Sequence, residues 1–277
     1  MASPRRPVVI VTGASKGIGL AVTRILLQKF NAIVIGLSRS QPPDKFSADS
    51  FFFVECDITD ETALTNAIER VKSTHQHIDG LVLSAGTLHP LCRIADTTPL
   101  SEWKTHFDLA FFSLVTAVKA ALPALRNSDL GGKIIFLSSG AAIKGTAGWG
   151  PYNASKAAMN SLCRTLAEEE PLVVSVAVRP GMVDTDVSER VCETTQAFIR
   201  PQMQACLRAT GESHMDKASY DLFIGAYNEG KLIRPEDCGH VVASLALNAP
   251  QSLSGEFLSW DSDVCKPFRK EEGVPQM

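Results

Sequence analysis

A glycine-rich turn, Thr12-Gly13-Ala14-Ser15-Lys16-Gly17-Ile18-Gly19, joins an apolar run at residues 7–11 to an amphipathic stretch at 18–27. The run has the β-branched composition of a buried strand, and Ile18, Val22, Ile25 and Leu26 recur at helical spacing. A strand that turns sharply into a helix through glycines presents backbone N–H groups at the helix N-terminus, a setting suited to phosphate. The spacing is G-x-x-x-G-x-G. Turns of this composition are common, so the weight rests on its place at the head of an alternating chain.

That alternation persists. Strands are predicted at 32–37, 51–54, 78–83, 133–137 and 172–178, with helices at 61–71, 99–125 and 153–169, the first of them capped by Thr59-Asp60. Continuous apolar strands separated by helices specify an α/β fold, a doubly wound parallel sheet (Rossmann fold) covered on both faces. The pattern changes after Pro180. Residues 184–230 are polar and helix-prone, helical spacing resumes at Val241, Val242 and Leu245, and a late strand follows at 256–259. No linker divides the chain, so residues 1–277 read as a single domain. The insertion at 184–230 is either a surface excursion or a lid over a site at the carboxyl ends of the strands.

Charge and cysteines narrow the setting. With 27 basic and 30 acidic side chains the net charge is -3, which gives no electrostatic argument for nucleic acid or a membrane surface. No apolar run approaches the roughly 18–20 residues a membrane helix needs. The seven cysteines are odd in number, scattered, and lack a Cys-x-x-Cys. The expectation is reduced thiols in a cytoplasmic protein, with no structural metal. His75 and His77, flanking Gln76, read as a solvated helix end rather than a ligand pair.

The end of the second strand decides which nicotinamide cofactor the turn would take. A carboxylate there would accept hydrogen bonds from the ribose 2′-hydroxyl and repel a 2′-phosphate. The segment reads Gly36-Leu37-Ser38-Arg39-Ser40, with no acid before Asp44. Either Lys16 or Arg39 alone reads as a solvated loop cation. Together, and without the acid, they favour NADP(H).

Tyr152 and Lys156 lie four apart at the start of a predicted helix, hence on one face. A phenol needs a nearby cation to work as an acid–base group at neutral pH, and Lys156 would supply it while also bonding the cofactor ribose. Tyr227 and Lys231 have the same spacing, but Gly230 between them discourages a helix and the pair reads as surface loop. Ser138-Ser139 ends the fifth strand. On its own the pair would be a turn or cap, whereas beside Tyr152 the Ser139 hydroxyl would hold a substrate carbonyl oxygen.

These features together resemble the short-chain dehydrogenase/reductase family. The resemblance runs from the Thr12-to-Gly19 turn through Asp57-Ile58, Ser84-Ala85-Gly86, Ser139, Tyr152 and Lys156 to Arg179-Pro180-Gly181. It implies hydride transfer between a nicotinamide and a carbonyl/alcohol pair, with Ser139, Tyr152 and Lys156 catalytic. It also implies a cofactor site made of Gly13, Ser15, Lys16, Gly17, Ile18 and Gly19, with Ser38 and Arg39. Asp57 and Ile58 would lie by the adenine, Ala85 and Gly86 along the cofactor, and Pro180, Gly181, Val183 and Thr185 by the nicotinamide. The segment 107–122 and the ending Leu253-Ser254-Gly255 are similar to sepiapterin-reductase-like and fungal benzil-reductase-like members, which implies a vicinal dicarbonyl or related ketone substrate. Trp149, Met182 and Phe198 are candidate pocket lining or ordinary packing. The resemblance further implies dimers or tetramers through the long helices. Two positions depart from the family: Ser84 stands where Asn is usual, and Ala110 stands where the family places an Asn of the proton relay. Ala110 keeps open a rival reading, an NADP-binding sensor or regulatory protein with little turnover.

Overall fold

The computed structural model describes residues 5–185 and 203–270. Seven parallel strands form one sheet in the order β3-β2-β1-β4-β5-β6-β7. They are β1 (Val8–Thr12), β2 (Ile33–Ser38), β3 (Phe51–Glu55), β4 (Gly80–Leu83), β5 (Gly132–Leu137), β6 (Val173–Arg179) and β7 (Phe257–Ser259). The order reverses between β1 and β4, so a crevice opens at the carboxyl ends of those two strands, where ligands bind in open sheets of this kind. The glycine turn sits there.

Helices cover both faces because the inner strands are apolar on both. On one face α2 (Glu61–His75), α4 (Ser113–Arg126) and α5 (Gly150–Glu169) bury Leu64, Ile68, Leu114, Leu125 and Met159 against Ile10, Leu81 and Phe136. On the other, α1 (Gly17–Lys29) and α8 (Pro235–Asn248) bury Val22, Leu26, Val241 and Leu245 against Val9, Val82 and Val176. Asp60 caps α2 as the sequence predicts, its carboxylate accepting from the Ala63 N–H at 2.9 Å.

The predicted helix at 99–125 is interrupted. It begins as α3 (Leu100–Phe107), passes through a π-turn at Asp108–Phe112, and continues as α4. The extra residue per turn rotates the face that follows, and such turns gather at functional sites. Taken together, Leu100–Arg126 is long and apolar enough to cross a membrane by length and composition, with a mean hydropathy of 1.5. This corrects the expectation that no apolar run approaches that length; half of the apolar window is buried inside the protein. Of the insertion predicted at 184–230, the described part forms α6 (Met203–His214) and α7 (Lys217–Asn228). Phe198 lies outside the described residues.

Candidate functional site

The site begins with backbone. Buried Thr12, at the end of β1, accepts hydrogen bonds on Oγ1 from the Ser84 and Ala85 N–H groups at 3.1 and 3.2 Å, joining β1 to the loop after β4. Gly13 follows at φ +69, and a Cβ there would lie 3.0 Å from Ala85 Cα. A Cβ on Gly19 would collide with the Gly13 carbonyl oxygen. The turn therefore closes on itself and on Ala85, and only glycine permits it. No side chain caps α1 and no acid occupies its first turn. Its N-terminal N–H groups and dipole face the crevice, a setting for an anion.

Two cations flank this turn. The Lys16 ammonium is held below its ordinary pKa, first by desolvation and then by repulsion from Arg39. Asp44, the first acid after β2, is engaged elsewhere: Arg24 Nε and Nη2 donate to it at 2.6 and 3.1 Å. Among the described residues no carboxylate pairs with Lys16 or Arg39. Ser38 Oγ donates to the Ser40 carbonyl at 2.8 Å, and Ser40 Oγ reaches Ser15 Oγ at 3.5 Å, which folds the loop after β2 onto the glycine turn.

Asp57, beyond β3, accepts on Oδ1 from Thr59 N–H and Oγ1 at 3.0 and 2.8 Å. The Ile58 side chain is buried in the core beneath α2, so it faces away from the crevice. Past β6, Val183 pairs with Ile233 in a short parallel bridge. The bridge brings Thr185 within van der Waals reach of the Gly17 position. Thr185 Oγ1 is buried and has no hydrogen-bond partner among the described residues. Such a hydroxyl is costly unless something bonds it.

Across the crevice, α5 starts at Gly150, three residues earlier than the sequence predicts, and places Tyr152 and Lys156 in its first turns. Both are almost fully buried, at 5% and 4% exposure. Burial pushes the Tyr152 phenol above its ordinary pKa, opposed by a hydrogen bond with Ser139. The Lys156 ammonium lies over the Tyr152 ring, 5.6 Å from its centroid. Lys156 Nζ donates to the Leu137 carbonyl at 2.6 Å, and desolvation brings its pKa down to about 8. It also borders Gly86, where a Cβ would lie 3.9 Å from Nζ. Ser139 Oγ accepts from the Ala141 N–H at 3.2 Å, so the cap role and the site role coexist in one hydroxyl. Ser138 faces inward instead, donating to Asn160 Oδ1 at 2.6 Å.

An apolar wall adjoins Tyr152. Trp149 meets its ring edge-on at 5.6 Å and packs on Phe223 of α7 at 5.1 Å, with Leu88, Leu91, Leu207 and Met215 in the same cluster. Trp149 Nε1 is buried with no hydrogen-bond partner among the described residues. Met182, half-buried, contributes its carbonyl to the Ile233 N–H at 2.8 Å. Tyr227 ends α7 while Lys231 lies beyond Gly230, so this second Tyr/Lys pair shares no helix face. Sequence reasoning missed His106. It is 2% exposed, with Nδ1 2.8 Å from the His89 carbonyl and Nε2 2.9 Å from Ser155 Oγ. A lone histidine in a helix carries no motif, and its partner is 49 positions away. Among the described residues no group of three His, Cys, Asp or Glu side chains is placed to hold a metal.

A family model described as short chain dehydrogenase matches residues 7–196. An uncharacterized oxidoreductase of Schizosaccharomyces pombe is 37% identical over 271 residues, covering 95% of this chain and all of the relative. A benzil reductase of Saccharomyces cerevisiae that forms (S)-benzoin is 32% identical over 274 residues, covering 95% of this chain and 98% of the relative. The crystal structure of a short chain dehydrogenase/reductase from Saccharomyces cerevisiae superposes with a TM-score of 0.84 at 33% identity, covering 95% of this chain and all of that one.

Proposed function

The chain belongs to the short-chain dehydrogenase family, and from that membership we propose that it is an NADPH-dependent carbonyl reductase whose substrate is a ketone, a vicinal diketone first among them. The observation that carries this reading is the joint burial of Tyr152 and Lys156 at the mouth of the crevice, beside Ser139. The residues fit the cofactor. Gly13 and Gly19 keep a side-chain-free cradle before the α1 N-terminus, Thr185 Oγ1 is a buried hydroxyl with no partner among the described residues, and Lys16 and Arg39 suit a 2′-phosphate. Ser15, Gly17, Ile18, Ser38, Asp57, Ile58, Ala85, Gly86, Pro180, Gly181 and Val183 complete the proposed cofactor site, Ile58 through its backbone. When bound, NADPH supplies a hydride to the carbonyl carbon.

The chain's own residues do the rest. Tyr152 gives its phenolic proton to the carbonyl oxygen, and the Ser139 hydrogen bond opposes the rise that burial imposes on its pKa. Ser139 Oγ holds the same oxygen. Lys156, with one N–H committed to Leu137, has two others for the cofactor ribose, and its charge steadies the phenolate left behind. Solvent returns the proton to Tyr152, so the alcohol gains one hydride and one proton in all. The apolar wall at Trp149 and Phe223 suits aryl or alkyl ketones, and the unpaired Trp149 N–H suits a substrate with a second oxygen. The relative that acts on benzil, a vicinal diketone, supports the same class.

The reading treats residues 1–277 as one catalytic domain with 184–230 as its lid, working in the cytoplasm as a homodimer or homotetramer. Purified protein mixed with NADPH and a panel of diketones should lose nicotinamide absorbance, and NADH should serve less well. The second reading, an NADP-binding sensor, rests on Ala110, whose buried methyl can bond nothing. Calorimetric binding of NADPH with no turnover of any ketone would favour it.

A further inference from the structure

We infer that His106 is a positioning residue for Tyr152 and Lys156, acting through Ser155. The inference rests on the proposed catalytic roles of those two side chains. Ser155 lies between them in α5, three residues after Tyr152 and one before Lys156. Its hydroxyl oxygen is 2.9 Å from His106 Nε2 and 3.0 Å from the Tyr152 carbonyl oxygen. His106 comes from the end of α3, and its ring meets the Tyr152 ring edge-on at 6.3 Å. Among the described residues the other side-chain hydrogen bonds between the 100–126 helical stretch and α5 join Arg126 to the capping Glu170 at the far end of α5, so His106 makes the one beside Tyr152 and Lys156.

The protonation pattern is fixed by partners. A carbonyl oxygen only accepts, so the neutral ring carries its proton on Nδ1 and donates it to His89. Nε2 is then an acceptor, and the single Ser155 proton turns toward it or toward the Tyr152 carbonyl. Burial keeps the imidazole below its ordinary pKa, with the Lys156 and His89 charges adding to it against the opposing His89 carbonyl bond. A neutral ring gives support without a second positive charge beside Lys156.

Geometry explains why support is needed here. Ala110, one helical turn further on and 1% exposed, offers only a methyl group within the π-turn. The imidazole instead ties three pieces together: α3, the loop carrying His89 beyond Ala85 and Gly86, and the first turns of α5. Loosening that tie lets the phenol and ammonium shift relative to the bound ketone. Such displacements are costly, because transfer distances tolerate little error.

The test compares His106→Phe, which keeps ring volume and loses both hydrogen bonds, with Ser155→Ala and the double variant. Three readouts are taken: steady-state reduction of a diketone, NADPH binding by calorimetry, and the Tyr152 phenol titration followed by NMR of ring-labelled tyrosine in protein alone. A positioning role predicts a kcat loss of roughly 10- to 100-fold at nearly constant KM and NADPH affinity. It also predicts a displaced Tyr152 titration and a double variant no worse than the more severe single one. Wild-type titration and kcat in folded His106→Phe, or additive losses in the double variant, would overturn it. If His106→Phe does not fold, Ser155→Ala, which removes one hydroxyl, carries the same comparison. The titration needs no turnover, so absence of ketone reduction would defeat the proposed function while leaving this inference separately measurable.

Discussion

The Lys156 ammonium lies 5.6 Å above the centre of the Tyr152 ring, and both side chains are almost wholly buried. A charge in such a place costs stability that a purely structural helix would not give up. With a pKa near 8 in the folded protein against an ordinary 10.5, the unfolded chain holds the proton more tightly between those values. Stability therefore rises with pH across that window, and the full cost stands below it.

Lys156→Met should accordingly stabilise the cofactor-free protein at pH 7 while abolishing reduction. The gap between about 8 and 10.5 corresponds to on the order of 3 kcal/mol. Thermal melts across pH check the sign: the advantage of the variant should shrink as pH climbs from 8 to 10.5.

Arg39→Ala should weaken NADPH binding and spare NADH. Loss of one charge-assisted contact is worth about 1.5–3 kcal/mol, or roughly ten- to a hundredfold in Kd. Calorimetry with both nucleotides measures it, and equal weakening of both would remove Arg39 from the 2′-phosphate.

Ala110→Asn should cost stability without raising kcat. An amide in a position 1% exposed overpacks the π-turn by about 1–3 kcal/mol. Melting temperature and diketone turnover, measured together, separate this from the sensor reading, under which the new amide would raise the rate sharply.

At the amino-terminal edge of the sheet, Asp79 accepts from Arg5 Nη1 and Nη2 at 2.7 and 2.8 Å, from the Val8 N–H at 2.7 Å and from Ser128 Oγ at 2.5 Å. Burial alone would raise its pKa, but these donors outweigh it and hold the carboxyl below its ordinary value. Its contribution is present above the ordinary carboxylate range and is lost as pH falls through the depressed pKa. Asp79→Asn should cost about 2–3 kcal/mol at neutral pH, read by urea titration, with the deficit vanishing in acid.

The sheet was legible because its strands are buried on both faces. Runs such as 133–137 and 172–178 are so largely apolar, with Lys133 and Ser175 the only polar residues in them, that the observed β5 and β6 differ only at their ends. The glycine turn was legible for a different reason, since close approach to Ala85 permits no other residue at Gly13. Periodicity could not reveal the π-turn at Asp108–Phe112, because Leu109, Ala110, Phe111 and Phe112 are apolar in succession and such a run marks no single helix face. His106 and Trp149 were illegible as site residues. Their positions depend on packing between elements far apart in sequence, which no local pattern records. The direction of the Tyr152 shift is likewise a property of burial, invisible in the Tyr-x-x-x-Lys spacing.

The most direct measurement is the rate of NADPH oxidation by a vicinal diketone with wild-type protein and with Tyr152→Phe, alongside calorimetric NADPH binding to both. Removing the proton donor should abolish turnover, with a loss of about 100-fold or more, while NADPH affinity stays at the wild-type value. Turnover by Tyr152→Phe at the wild-type rate would contradict the account.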